Sequence, residues 1–131
     1  MASLQETTIS GSVTHKEGTV ATAGTTLTLD LSTGSSFEVD MSSFTNGIDT
    51  LTVLNKTDTN HNRSFLLQVT AHYVGGIPRI INWPGINNVK WPAGTSPVFV
   101  NVTDDDKKDI YSFTTWDNGT TWYARIIGQN F

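Results

Sequence analysis

The sequence lacks cysteine and is poor in charged residues, and both features narrow the classes of protein to which it can belong. Without cysteine it can form no disulfide, no zinc-thiolate site and no thiol nucleophile. Charged residues make up 15% of the chain, well below the roughly one quarter found in an average domain. We therefore expect stability to come from a hydrophobic core or from oligomerisation.

Basic runs and long apolar runs are also missing. The net charge is −4 and no basic run exceeds the pair Lys107 and Lys108, which argues against a nucleic-acid partner, since phosphates attract a basic stripe. No apolar stretch approaches the ~20 residues of a membrane-spanning helix. Residues 1–6 lack the basic start and apolar run of a secretory signal. We therefore expect synthesis in the cytoplasm without export, and no membrane span.

What the sequence does contain is alternation of apolar and polar residues. Thr, Ser and Asn supply most of the polarity, while Ala, Glu and Lys are scarce, and this balance favours strands over helices. Turn signals such as Asn46 and Gly47 separate the alternating segments. The predicted strands are residues 26–31, 37–41, 51–54, 64–74, 79–83, 89–91, 97–103, 109–116 and 121–128.

This pattern predicts an all-β protein, an antiparallel β-sandwich of jelly-roll type with a short N-terminal arm. Residues 1–24 are small and polar, with Ile9, Val13 and Val20 as isolated apolar points. They suit either a flexible arm or a short edge hairpin. The predicted division is an arm over residues 1–24 and a sandwich domain over residues 25–131.

The residues that carry catalysis or bind metals in other proteins form no recognisable pattern here. The three histidines, His15, His61 and His72, are not spaced like metal ligands. The acidic run at residues 104–106 lacks the spacing of a calcium loop, and a solvated turn is the simpler interpretation. No two carboxylates stand out as a catalytic pair. We therefore predict no enzyme activity, no cofactor and no metal.

The aromatic residues are the main candidates for a functional site. All four tryptophans lie between residues 83 and 122, and aromatic rings can stack on sugars or form core and subunit contacts. The last predicted strand is partly apolar on both faces, although a sandwich covers only one of them. The second face therefore favours a subunit interface over a glycan platform. The candidate residues for an interface or for glycan stacking are Trp83, Trp91, Trp116, Trp122, Tyr123 and Arg125.

Four segments of the sequence carry a resemblance to a known family. They are residues 29–34 (LDLSTG), 81–84 (INWP), 89–97 (VKWPAGTSP) and a C-terminal run comprising 109–123 and 128–131. Together they resemble a module of virion structural proteins in tailed bacteriophages, particularly phages of cyanobacteria and other aquatic bacteria. The resemblance covers residues 27–131, and in that family the module is described as tail-fibre-like.

The resemblance implies a structural role in a virion. Because a short arm is expected to precede the module, without a collagen-like or coiled-coil shaft, it favours a head decoration or cement protein on the capsid exterior. The implied partners are further copies of the chain, in a homo-oligomer expected to be a trimer, and the major capsid protein or other virion proteins. The alternative is a tail-fibre or receptor-binding protein that recognises a host surface glycan.

Overall fold

The computed structural model describes residues 16–44, 46–55, 62–74, 77–97, 107–129 and 131. These residues form strands and short 3₁₀ turns, without an α-helix among them, so the all-β prediction is confirmed. The strands are β1 (Thr19–Ala23), β2 (Thr26–Asp30), β3 (Ser36–Asp40), β4 (Thr50–Leu54), β5 (Arg63–Thr70), β6 (Tyr73–Val74), β7 (Ile77–Pro78), β8 (Val89–Lys90), β9 (Lys108–Thr115) and β10 (Trp122–Gly128). The 3₁₀ turns are Met41–Ser43, Trp83–Gly85 and Pro92–Gly94.

The strands form two mixed sheets and a small hairpin. The three-stranded sheet has the order β1-β2-β4, the five-stranded sheet has the order β3-β5-β9-β10-β8, and β6 pairs with β7. The β2/β4, β3/β5 and β8/β10 pairs are parallel. The prediction of purely antiparallel sheets is therefore wrong, and jelly-roll connectivity is not confirmed.

The β2/β4 and β3/β5 pairs are parallel for a simple topological reason. From β2 to β5 the chain alternates between the three-stranded and the five-stranded sheet. A strand that returns to its sheet after one strand in the other sheet runs in its original direction, so β2 pairs in parallel with β4 and β3 with β5. The alternating sequence pattern sets which face of a strand is buried, but it does not set strand direction.

Both sheets bury one face in a single hydrophobic cluster. Leu27 and Leu29 of β2 and Phe65, Leu67 and Val69 of β5 are each at most 1% exposed. These residues sit at every second position, as expected for a strand with one face against the core. The sequence alternation therefore predicted the buried faces correctly.

Two predicted strands differ from the observed elements. The segment 79–83 contributes only an isolated bridge between Ile81 and Ile48, because the chain turns into a 3₁₀ turn at Trp83 and Pro84 cannot donate to a sheet. The long strand predicted at 64–74 ends at Thr70, and a separate strand, β6, begins at Tyr73. Most of the strand predicted at 97–103 lies outside the described residues.

The end of the predicted N-terminal arm belongs to a sheet. Strand β1 pairs antiparallel with β2, from Thr19 opposite Asp30 to Ala23 opposite Thr26. The N–H of Gly18 donates to the carbonyl of Ser36 at 2.7 Å, which ties this strand to the start of β3. Residues 19–23 therefore form the edge strand of the three-stranded sheet, while residues 1–15 lie outside the described part.

Gly47 occupies a turn that no other residue suits. Its φ is 101°, and an added Cβ would contact the carbonyl oxygen of Ile80. Gly24 also has a positive φ, 60°, but faces open space. We expect Gly47→Ala to lower the free energy of unfolding by roughly 3 kcal/mol and Gly24→Ala by about 1 kcal/mol. Urea unfolding followed by circular dichroism measures both, and equal losses would contradict this account.

Candidate functional site

The structure divides the candidate aromatic residues by depth. Trp122 is fully buried, with its ring centroid 4.9 Å from that of Phe65. Trp83 is 2% exposed and packs edge-to-face against Tyr111 at 5.3 Å. Both indoles are buried, so their rings form core contacts rather than an exposed stacking surface.

Trp91 lies at the border between core and surface. Its indole packs edge-to-face against Trp83 at 5.1 Å and against Tyr111 at 5.9 Å, while the side chain as a whole stays partly exposed. A first groove of about 510 Å³ and a second groove of about 370 Å³ lie beside it. Trp91, Thr95 and Ser96 line both grooves, so the two grooves adjoin each other along these residues.

The two Trp-Pro turns build the walls of the first groove. The N–H of Ile86 donates to the carbonyl of Trp83 at 3.0 Å, and the N–H of Gly94 donates to the carbonyl of Trp91 at 3.0 Å. Proline is the second residue of the first turn and the first residue of the second turn, and its fixed φ suits the start of a helical turn. The sequence contains the pair of turns at a spacing of eight residues, but only the fold brings them together around one groove.

A second candidate region is exposed on the hairpin formed by β9 and β10. Trp116 is 67% exposed and Tyr123 is 54% exposed. Tyr123 lies opposite Thr114, and Trp116 continues the alternation from Thr114, so both aromatic residues belong to the outer face of the five-stranded sheet. Arg125 follows on the same face of β10 and is also exposed.

Two further exposed apolar side chains lie toward the end of the chain. Ile127 is 53% exposed beside the bulge between Ile126 and Gly128, and Phe131 is 63% exposed. The N–H of Phe131 donates to the carbonyl of Lys108 at 3.0 Å, which fixes the last residue to β9. The ring of Phe131 lies over Gly128, where a Cβ would contact it. We call Trp116, Tyr123, Ile127 and Phe131 the C-terminal surface.

The turn that presents Trp116 is held by side-chain hydrogen bonds. The carboxylate of Asp117 accepts from the N–H of Thr121 at 2.8 Å and from the hydroxyl of Thr115 at 3.0 Å. The N–H of Gly119 donates to the same Thr115 hydroxyl at 2.7 Å. The backbone hydrogen bond from Thr121 is the main cause that lowers the pKa of Asp117. Trp116 is therefore held on a well-defined hairpin turn.

A buried polar cluster lies near the other end of β9. Asp109 is 2% exposed, and its Oδ2 accepts from the hydroxyl of Tyr111 at 3.0 Å and from the amide of Gln129 at 3.2 Å. Burial raises the pKa of Tyr111 far above its usual value, and the neighbouring Asp109 carboxylate raises it further. These contacts satisfy a buried carboxylate and link β9 to the end of the chain, which is a structural role.

The raised pKa of Tyr111 predicts a loss of stability at alkaline pH. Above pH ~10 the unfolded chain releases the phenolic proton while the folded chain keeps it, so stability falls as pH rises. The expected contribution to the slope is at most about 1.4 kcal/mol per pH unit. Urea unfolding between pH ~9 and ~11 measures it. The Tyr111→Phe variant should lose this contribution to the slope of stability against pH. Equal slopes for the variant and the unmodified chain would contradict the raised pKa of Tyr111.

The acidic residues at β2 and β3 make local hydrogen bonds. The carboxylate of Asp30 accepts from Ser32 and Asn55, Glu38 accepts from Gln68 at 3.2 Å, and Asp40 caps the first 3₁₀ turn. Within the described ranges no three metal-ligating side chains cluster, and no helix is long and apolar enough to cross a membrane. His15, His61 and residues 104–106 lie outside those ranges.

Comparison with models of known protein families, with curated proteins and with solved structures finds no match to this chain. The resemblance to phage virion proteins therefore stays a prediction that depends on the sequence segments themselves. Segments 81–84 and 89–97 contribute to the grooves beside Trp91, and the C-terminal run forms the β9–β10 hairpin. The sequence analysis did not predict the grooves. The two Trp-Pro pairs were the sequence feature from which they could have been predicted.

Proposed function

We propose that this chain is a structural protein of a bacteriophage virion, a head decoration or cement protein that associates through its C-terminal surface. The proposal rests on the positions of the exposed apolar side chains. Of the seven large hydrophobic side chains exposed in the described part, five belong to residues 116–131. Exposed large apolar side chains that share a face, as Trp116 and Tyr123 do on the β9–β10 hairpin, mark interaction surfaces on soluble domains.

The composition of the surface favours a protein partner. Interfaces are enriched in Trp, Tyr, Phe and Arg and poor in Lys, Glu and Asp, and Trp116, Tyr123, Phe131 and the neighbouring Arg125 fit that composition. A paired hairpin presents these side chains, so little conformational entropy is lost on association. The sandwich of two sheets serves as a rigid scaffold, and many copies on a shell add up to a large stabilisation.

The test is to find the chain in particles of the phage that encodes it and to count its copies. Mass spectrometry against labelled standards gives the copy number, and antibody labelling in electron microscopy gives the location. We expect labelling of the head exterior and a copy number in the hundreds. Absence from purified particles would refute the virion role, and a few dozen copies or fewer on the tail would refute the decoration role.

The exposure of Trp116 also favours a second function, recognition of a host surface glycan by a tail-fibre or receptor-binding protein. The exposed indole of Trp116 provides an aromatic face on which a sugar ring can stack. Iodide quenching of the native oligomer distinguishes the two functions, because Trp83 and Trp122 are buried. If Trp116 is exposed in the oligomer, as glycan binding requires, Trp116→Phe removes most of the fluorescence that iodide can quench. If Trp116 is in an interface, the quenching hardly changes.

A further inference from the structure

We propose that the two grooves beside Trp91 form one binding site for an acidic oligosaccharide. The site adjoins the C-terminal surface, since Lys90 pairs with Tyr123 and Arg125 follows Tyr123 on the same face of β10, but Trp91 and the two grooves lie outside that surface and binding is tested separately from assembly. With volumes of about 510 Å³ and 370 Å³, each groove falls in the size range of small-molecule sites. Because they share Trp91, Thr95 and Ser96 as lining, a ligand longer than one sugar ring can occupy both.

The chemistry of the lining favours a saccharide over a purely apolar ligand. Trp91 supplies an aromatic surface, while Asn87, Thr95 and Ser96 supply an amide and two hydroxyls. An apolar ligand would bury these polar groups without partners, which is unfavourable. A sugar places C–H bonds against the ring and hydroxyls against the polar groups, so it satisfies both parts of the lining.

The charge of the lining favours an acidic saccharide. The first groove carries Lys90 and the second carries Arg125, and no Asp or Glu is among the described residues that line either one. This local excess of positive charge occurs in a chain whose net charge is −4. Among the described residues, neither cation forms an ion pair. A carboxylate or sulfate group on the ligand supplies the missing partner, and a guanidinium binds such groups with two parallel hydrogen bonds.

The site is also held in place before any ligand arrives. The ring of Trp91 packs against Trp83 and Tyr111, and its carbonyl accepts from the N–H of Gly94 at 3.0 Å. The N–H of Thr95 donates to the carbonyl of Pro92 at 3.2 Å, which closes the second Trp-Pro turn. A site with ordered walls loses little entropy on binding.

The test is calorimetric titration of the full chain with defined tetrasaccharides at low salt. The acidic probes are oligoguluronate and a heparin-derived tetrasaccharide, and the neutral probe is cellotetraose. We expect at least one acidic probe to bind roughly tenfold more tightly than cellotetraose, and added salt to weaken it. Failure of both acidic probes to bind, or equal affinity for the neutral probe, would overturn the proposal.

Four variants locate the binding. Trp91→Ala should abolish it and Trp91→Phe should retain most of it, while Lys90→Gln should weaken it roughly fivefold. Lys16→Gln is the matched control, because it makes the same charge change next to β3, at the opposite edge of the five-stranded sheet. Equal weakening by Lys16→Gln and Lys90→Gln would mean non-specific attraction and would refute the site. Sedimentation of the same samples reports oligomerisation separately, so failure here leaves the assembly role untouched.

Discussion

Replacing Trp122 with alanine should lower the free energy of unfolding by about 3–5 kcal/mol. Its indole is fully buried, and it packs edge-to-face against Phe65. Its backbone N–H donates to the carbonyl of Asn88 at 2.8 Å, at the point where β10 pairs with β8. Deleting the ring removes apolar burial and leaves a cavity that these neighbours can fill only in part.

Trp116 provides the matched control for this prediction. It is the same residue type on the same hairpin, but it is 67% exposed, and Trp116→Ala should change the free energy of unfolding by less than about 0.5 kcal/mol. Urea unfolding of dilute samples, followed by far-ultraviolet circular dichroism, measures both variants. Similar losses for the two variants would mean that the assigned depths of the two indoles are wrong. Because domains of this kind are stable by about 5–15 kcal/mol, Trp122→Ala removes a large part of the total.

Sequence alternation predicted which residues of the main strands are buried, and the reason is local. In β5 and β9 every second side chain faces the core, and this period can be seen without knowing the partners of a strand. Sheet order and strand direction depend on where the chain crosses between sheets. The sequence close to β2 and β3 does not show that β4 will later pair in parallel with β2, and β5 with β3.

The candidate site could be predicted only as a list of residues. The sequence singled out Trp83, Trp91, Trp116 and Trp122 alike, because a tryptophan in an alternating pattern can be a core residue or a surface residue. Depth separates them: Trp122 belongs to the inner face of β10, while Trp116 lies beyond the end of β9 on the outer face. The grooves depend on the approach of two turns, and the turns themselves were visible in the sequence only as separate Trp-Pro pairs.

The second large effect concerns assembly. The double substitution Trp116→Ser and Tyr123→Ser should weaken self-association by at least about 100-fold, because interface Trp and Tyr commonly contribute ~2 kcal/mol or more each. The fold should survive, since both side chains are more than half exposed. Sedimentation velocity over a dilution series measures association, and incorporation into particles measures the role in the virion.

Among the residues that the structure describes, two exposed large hydrophobic side chains outside residues 116–131 offer a matched control for this experiment. Leu54 and Ile80 are 45% and 46% exposed, so Leu54→Ser with Ile80→Ser also removes two exposed apolar side chains, but from elsewhere on the protein. This control should associate like the unmodified chain. If both double variants weaken association equally, general apolar area drives it and the C-terminal surface has no special role. If neither changes it, the contacts between copies lie elsewhere, and the exposed aromatic pair is free to bind another partner.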